Sequence, residues 1–115
     1  MNERCKVLLE LMLRNAGDVV EYTNYISSYD AFVESTMVQK AIVMSLLNIG
    51  ENANRLPAEC IENYPHVPWQ QIIRMRHLAA HHYEILDIEL IWEIASVSVP
   101  ELITQLTDIL SRSSP

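Results

Sequence analysis

The sequence predicts an all-α protein: an up-and-down four-helix bundle with one short extra helix. Three observations point there. Half of the residues are apolar and only two are glycine. The apolar residues recur three, four and seven positions apart, with no sustained alternation of the kind a strand requires. The length, 115 residues, buries one core but does not divide into two. One domain over residues 1–110 is therefore expected, with 111–115, Ser-Arg-Ser-Ser-Pro, as a frayed tail.

The first segment, Asn2 to about Tyr25, places Val7, Leu8, Leu11, Val19 and Tyr22 on one amphipathic face, with Gly17 as a weak point. Ser27, Ser28 and Asp30 read as a polar break. Ser35 or Thr36 can then cap a second long helix that runs to about Arg55, with Val38, Ile42, Leu46, Ile49 and Ala53 as its buried stripe. Pro57 and Pro65 bracket a short helix containing Cys60 and Ile61, because proline fits a first turn and disrupts an interior. Pro68 starts a helix from Trp69 to about Ala80, apolar at Trp69, Ile72, Ile73 and Met75. Asp87 caps the last long element, which carries Leu90, Ile91, Ile94 and Val97. Pro100 should kink or restart it, with Ser98 and Glu101 at the spacing of a capping box.

No stretch approaches the roughly 18 to 20 apolar residues of a membrane span. Glu10 interrupts the apolar run near the N-terminus, and no small-residue cleavage site follows it, which argues against a signal peptide. A cytoplasmic protein is expected. In that reducing compartment Cys5 and Cys60, far apart and without metal-ligand spacing, read as buried free thiols. The net charge of −7 disfavours a polyanionic partner at long range. Its distribution says otherwise. From Glu62 to Glu84 no acidic residue intervenes, yet the interval holds His66, Arg74, Arg76, His77, His81 and His82.

Chemistry concentrates in Arg74-Met-Arg-His-Leu-Ala-Ala-His-His-Tyr83. Imidazole exchanges protons near neutral pH, and guanidinium presents fixed donors that match phosphate oxygens. The set suits metal-free phosphodiester cleavage. A base takes the ribose 2′-hydroxyl proton, an acid protonates the departing 5′-oxygen, and a cation stabilises charge on phosphorus. Arg76 and His81 can supply the cation and the proton-transfer group. On a straight helix, however, positions five apart lie about 140° away from each other. Convergence in a cleft, a helix end near Ala80 or a second subunit must complete the site, and the last option predicts a symmetric dimer. Glu51, after Gly50 on the second long helix, can orient Arg76 or His81 across the bundle; an exposed glutamate is the alternative. Arg74 reads equally as a phosphate contact or a solvated charge. Trp69 and Trp92 read as core anchors and His66 as a turn residue.

The spacing Arg76-x4-His81 resembles the R-x4–6-H signature of HEPN domains, and His81-x-Tyr83 extends it to the R-x4-H-x-Y form of HepT-like toxins. The resemblance covers nearly the whole chain, since Asn48-Ile-Gly-Glu-Asn-Ala-Asn-Arg-Leu-Pro57, Val67-Pro-Trp69, Met75-Arg76 and Asp87-Ile-Glu-Leu-Ile-Trp92 follow in the order of the family's landmarks. It implies a metal-independent endoribonuclease, the toxin of a type II or type VII toxin–antitoxin pair, that dimerises so that two motifs face one cleft. It implies Arg76 and His81 as catalytic residues, and His77, Arg74, Glu51 and His82 become candidates for supporting or substrate-binding roles. It also implies a minimal nucleotidyltransferase antitoxin that adds AMP to Tyr83, in an assembly that can exceed the dimer. No cofactor is implied. The family most often has asparagine after the arginine and glycine after the histidine, where this chain has His77 and His82. These departures motivate the alternative of a catalytically silent interaction or nucleotide-binding module that holds the nucleotidyltransferase. A third reading makes His77 and His81, with Glu51 or Glu84, a metal site.

Overall fold

The computed structural model describes residues 1–81 and 87–112, the side chains of 79–81 excepted. Helix α1 spans Glu3–Ile26, α2 Tyr29–Glu34, α3 Thr36–Asn54, α4 Ala58–Asn63, α5 Trp69–His81 and α6 Ile88–Glu93; a π-helical turn, Ile94–Ser98, joins α6 to α7, Val99–Arg112. Among the described residues there is no strand. The all-α expectation holds, with the separate short helices α2 and α4 beside the long elements and the short α6 leading through the π turn into α7. None of the described helices is long and apolar enough to cross a membrane.

Local chemistry sets the boundaries. The Asn2 side chain accepts from the Arg4 and Cys5 N–H groups at the start of α1, and Ser27 ends it in a left-handed conformation at φ 63°. Ser28 and Ser35 each accept an N–H from the first turn of the helix they precede, Ala31 of α2 and Val38 of α3. The polar break holds at Ser27 and Ser28, whereas Asp30 lies in α2, a helix that was not expected. A single turn is too short to display periodicity, and it is held by tertiary contacts: Phe32 is fully buried, with its ring centroid 5.0 Å from that of Trp92. Gln39, buried on α3, donates from Nε2 to the carbonyls of Phe32 and Val33 at 2.9 and 3.0 Å, which satisfies the open end of α2.

Helix α1 packs against α3 on one side and α7 on the other, and α3 packs in turn against α5. The fully buried layer comprises Leu9, Met12, Ala16 and Val19 of α1, Ile42, Leu46, Ile49 and Ala53 of α3, and Ala95, Val99 and Leu106 of the C-terminal rod. Each large aliphatic among them contributes roughly 1.5–3 kcal/mol through removal from water. The buried stripe of α1 lies one position round from the expected one, so Val7 is exposed. Gly17 leaves α1 unbroken.

The expected capping box at Ser98 is replaced by a continuous helical path. Ser98 belongs to the π turn, and the Val99 N–H reaches the Ile94 carbonyl. The wider turn accommodates Pro100, which has no N–H to give. It also resets the register: Ile91, Ala95, Val99 and Leu102 are buried, whereas Val97 and Leu90 face solvent. Helix α7 extends through Ser111 and Arg112, into the segment assigned to the tail.

The free-thiol expectation is overturned. Cys5 and Cys60 form a disulfide across a sequence separation of 55, with Cα atoms 6.2 Å apart. The topology brings them together. Helix α3 runs back along α1, with the Asn48 Nδ2 donating to Asn15 Oδ1 at 3.4 Å, and delivers α4 beside the start of α1. Separation in sequence carried no information about that distance.

Candidate active site

Helix α5 positions the central arginine. Pro68 precedes its first turn and its carbonyl accepts from the Ile72 N–H at 3.1 Å. Buried Trp69 anchors that end, and its indole N–H donates to the Tyr64 carbonyl at 2.9 Å. Ile72 and Met75 are buried, so α5 is fixed in rotation with Arg76 against α3.

At Arg76 the two helices come unusually close. A Cβ on Gly50 of α3 would lie 2.8 Å from Arg76 Cγ, 3.0 Å from its backbone nitrogen and 3.1 Å from the Ile72 carbonyl oxygen. Only glycine fits there without displacing α5. The guanidinium is secured at two points. Its Nε–H donates to the Ile73 carbonyl at 3.2 Å, and Nη1 stands 4.0 Å from Glu51 Oε1. The two side chains are 29% and 42% exposed. A pair this accessible adds at most about 1 kcal/mol to stability. Its consequence is orientation, because the stem is enclosed while part of the planar fork remains open to solvent.

Other candidates lie elsewhere. Arg74, two positions before Arg76, falls on the opposite side of α5 and lines a cavity of about 470 Å³ between α5 and the α6–α7 rod. Its floor includes Ile72, Met75, Leu78, Ile94 and Leu102, and Glu101 and Gln105 stand on its far wall. Neither Arg76 nor Glu51 reaches it. His77 is exposed, and His66 sits in the turn between α4 and α5. Helix α5 continues to His81, so positions 76 and 81 keep the separation of about 140° that five helical residues impose. The His81 side chain, together with His82, Tyr83 and Glu84, lies outside the described residues. Among the described residues no three potential metal ligands converge.

Gly50 stands in the Asn48–Pro57 landmark segment, but the sequence assigned it no role at the site. A signal was present: it is one of only two glycines in the chain and stands inside a helical pattern, where glycine costs about 1 kcal/mol against alanine.

Comparison with known proteins gives a family and a set of relatives. The family model described as "Ribonuclease HepT-like" matches residues 12–109. A Methanocaldococcus jannaschii protein named, provisionally, as an RNase is 36% identical over 86% of this chain and 81% of its own length. A Caldanaerobacter subterraneus protein with the same provisional designation is 35% identical over 90% of this chain and 92% of its own. A Thermococcus cleftensis protein, provisionally called ribonuclease HepT, is 27% identical over 73% and 76%. No solved structure matches the chain significantly.

Proposed function

The chain belongs to the HepT-like ribonuclease family, and from that premise we propose that it is a metal-independent endoribonuclease, the toxin of a type II or type VII toxin–antitoxin pair acting in the cytoplasm. The observation that carries the reading is Arg76. It is a partly exposed guanidinium beside the Ile73 carbonyl and Glu51, on the helix that carries His81. A fork held this way meets a phosphate with little reorganisation, which is what charge stabilisation in phosphoryl chemistry requires. In the reading, Arg76 neutralises charge on the scissile phosphate and His81 moves the proton between the 2′-hydroxyl and the departing oxygen. The separation of positions 76 and 81 around α5 favours a symmetric dimer in which the two copies share the cleft.

Purified protein incubated with RNA in excess chelator is expected to cleave, and His81→Ala to lose at least about 10²-fold in rate, the usual share of a general acid or base. Equal cleavage by the two proteins removes His81 from the mechanism. Absence of cleavage by both favours the silent module, to which His77 and His82 already lend support.

The partner in this reading is a minimal nucleotidyltransferase that transfers AMP from ATP to the Tyr83 hydroxyl, two residues beyond His81, with pyrophosphate as the leaving group. The added bulk and negative charge would compete with RNA phosphate for Arg76. Intact mass after co-expression is expected to rise by one adenylyl group, and Tyr83→Phe to abolish the increase. An unmodified mass in a tight inactive complex points to occlusion instead.

A further inference from the structure

We infer that Gly50 is a positioning residue for the reaction: its missing side chain lets α5 close onto α3 and so sets the height and direction from which Arg76 meets phosphate. The inference rests on the ribonuclease reading of Arg76 but concerns a residue that touches neither RNA nor the reacting atoms.

Three distances from the notional Cβ carry it. Two of the three atoms, the Arg76 nitrogen and the Ile72 carbonyl oxygen, are backbone, at 3.0 and 3.1 Å. A side-chain rotation cannot relieve them, so α5 itself must move. The third, Arg76 Cγ at 2.8 Å, belongs to the stem that aims the guanidinium. Any residue larger than glycine therefore displaces the arginine at its root. The guanidinium's other supports respond differently. The Ile73 carbonyl lies on α5 and travels with Arg76, whereas the Glu51 carboxylate, 4.0 Å from Nη1, belongs to α3 and stays behind. Moving α5 outward thus separates Arg76 from Glu51 while leaving its bond to Ile73. Gly17 makes the contrast within the same chain, because a Cβ there meets nothing within 4 Å. Glycine is demanded at one position and merely present at the other.

The test is the salt dependence of binding to an RNA oligonucleotide 2′-O-methylated throughout, which cannot be cleaved. Each phosphate neutralised on a single strand contributes about 0.7 to the slope of log K against log salt. Arg76→Ala is expected to lose about one such contribution, Gly50→Ala a measurable part of it, and the double variant no more than Arg76→Ala alone. Simple destabilisation lowers the folded fraction and leaves this slope unchanged. Folding is checked by helical circular dichroism and a cooperative melt; alanine's better helix propensity, by about 1 kcal/mol, offsets part of the strain. A folded Gly50→Ala with the wild-type slope overturns the inference. A wild-type slope in Arg76→Ala overturns the ribonuclease reading of Arg76 instead, whatever Gly50 does. If Gly50→Ala does not fold, the wild-type protein decides by NMR. A contact between the Gly50 α-protons and the Arg76 γ-protons, with the Arg76 Nε–H nearly as ordered as the backbone N–H groups of α5, supports the inference. A missing contact with an Nε–H far more mobile than that backbone overturns it.

Discussion

Replacing Arg76 by alanine is expected to lower the single-turnover rate of RNA cleavage by about 10²- to 10³-fold, the usual cost of removing one fixed donor to a developing oxyanion. The thermal midpoint should move far less. The guanidinium is partly exposed and its ion pair with Glu51 is loose at 4.0 Å, so stability loses a weak contact and some stem packing. Arg76→Lys separates charge from geometry. Lysine keeps the positive charge but has no Nε–H at the branch point, and so cannot make the bond to the Ile73 carbonyl that aligns the fork. Its rate is expected between those of wild type and alanine, closer to alanine. Labelled RNA in chelator, followed under single-turnover conditions beside a circular-dichroism melt of each variant, reads both quantities. Alanine at the wild-type rate would remove Arg76 from the chemistry.

What the sequence disclosed about this site follows the range of each signal. Arg76 and Glu51 were legible as residue types because guanidinium beside imidazole has a recognisable chemistry, and because Glu51 sits on a helix whose apolar period was clear. The start of α5 at Trp69 was legible from Pro68, and the cap of α3 from Ser35, since both signals act within one turn. Features made by distant residues were not. Phe32 forms a helix because Trp92 covers it, an event 60 positions away. The π turn moved Val97 out and Ala95 in, since one extra residue in a turn rotates everything after it. Arg74 and Arg76 looked like one basic cluster along the chain, yet a helix sends neighbours two apart to opposite sides, and only Arg76 faces α3. Gly50 was readable only as a rarity until the distance to Arg76 gave it a purpose.

The disulfide is the largest such feature, and breaking it is expected to cost about 4 kcal/mol of stability. The estimate is the closure entropy of a loop of this length: Cys5 and Cys60 are 55 residues apart, and the loop between them contains most of α1, all of α2 and all of α3. For a domain of this size that loss corresponds to a fall of about 15 °C in thermal midpoint. Both cysteines are nearly inaccessible, at 2% and 4% exposure, so reductant acts slowly on the folded protein and reduction is best completed in denaturant before refolding. Calorimetry of the oxidised protein, the reduced and refolded protein, and Cys60→Ser should give one high midpoint and two low ones, with the serine variant indifferent to reductant. Equal midpoints for oxidised and fully reduced protein would show that this end of the bundle holds without the bond. The comparison also bears on the compartment, because disulfides are scarce in a reducing cytosol. A bond that persists in a glutathione buffer of cytosolic poise would keep its full contribution in a reducing compartment. A bond lost there leaves the fold about 4 kcal/mol nearer to unfolding, because the tie between the start of α1 and α4 is gone.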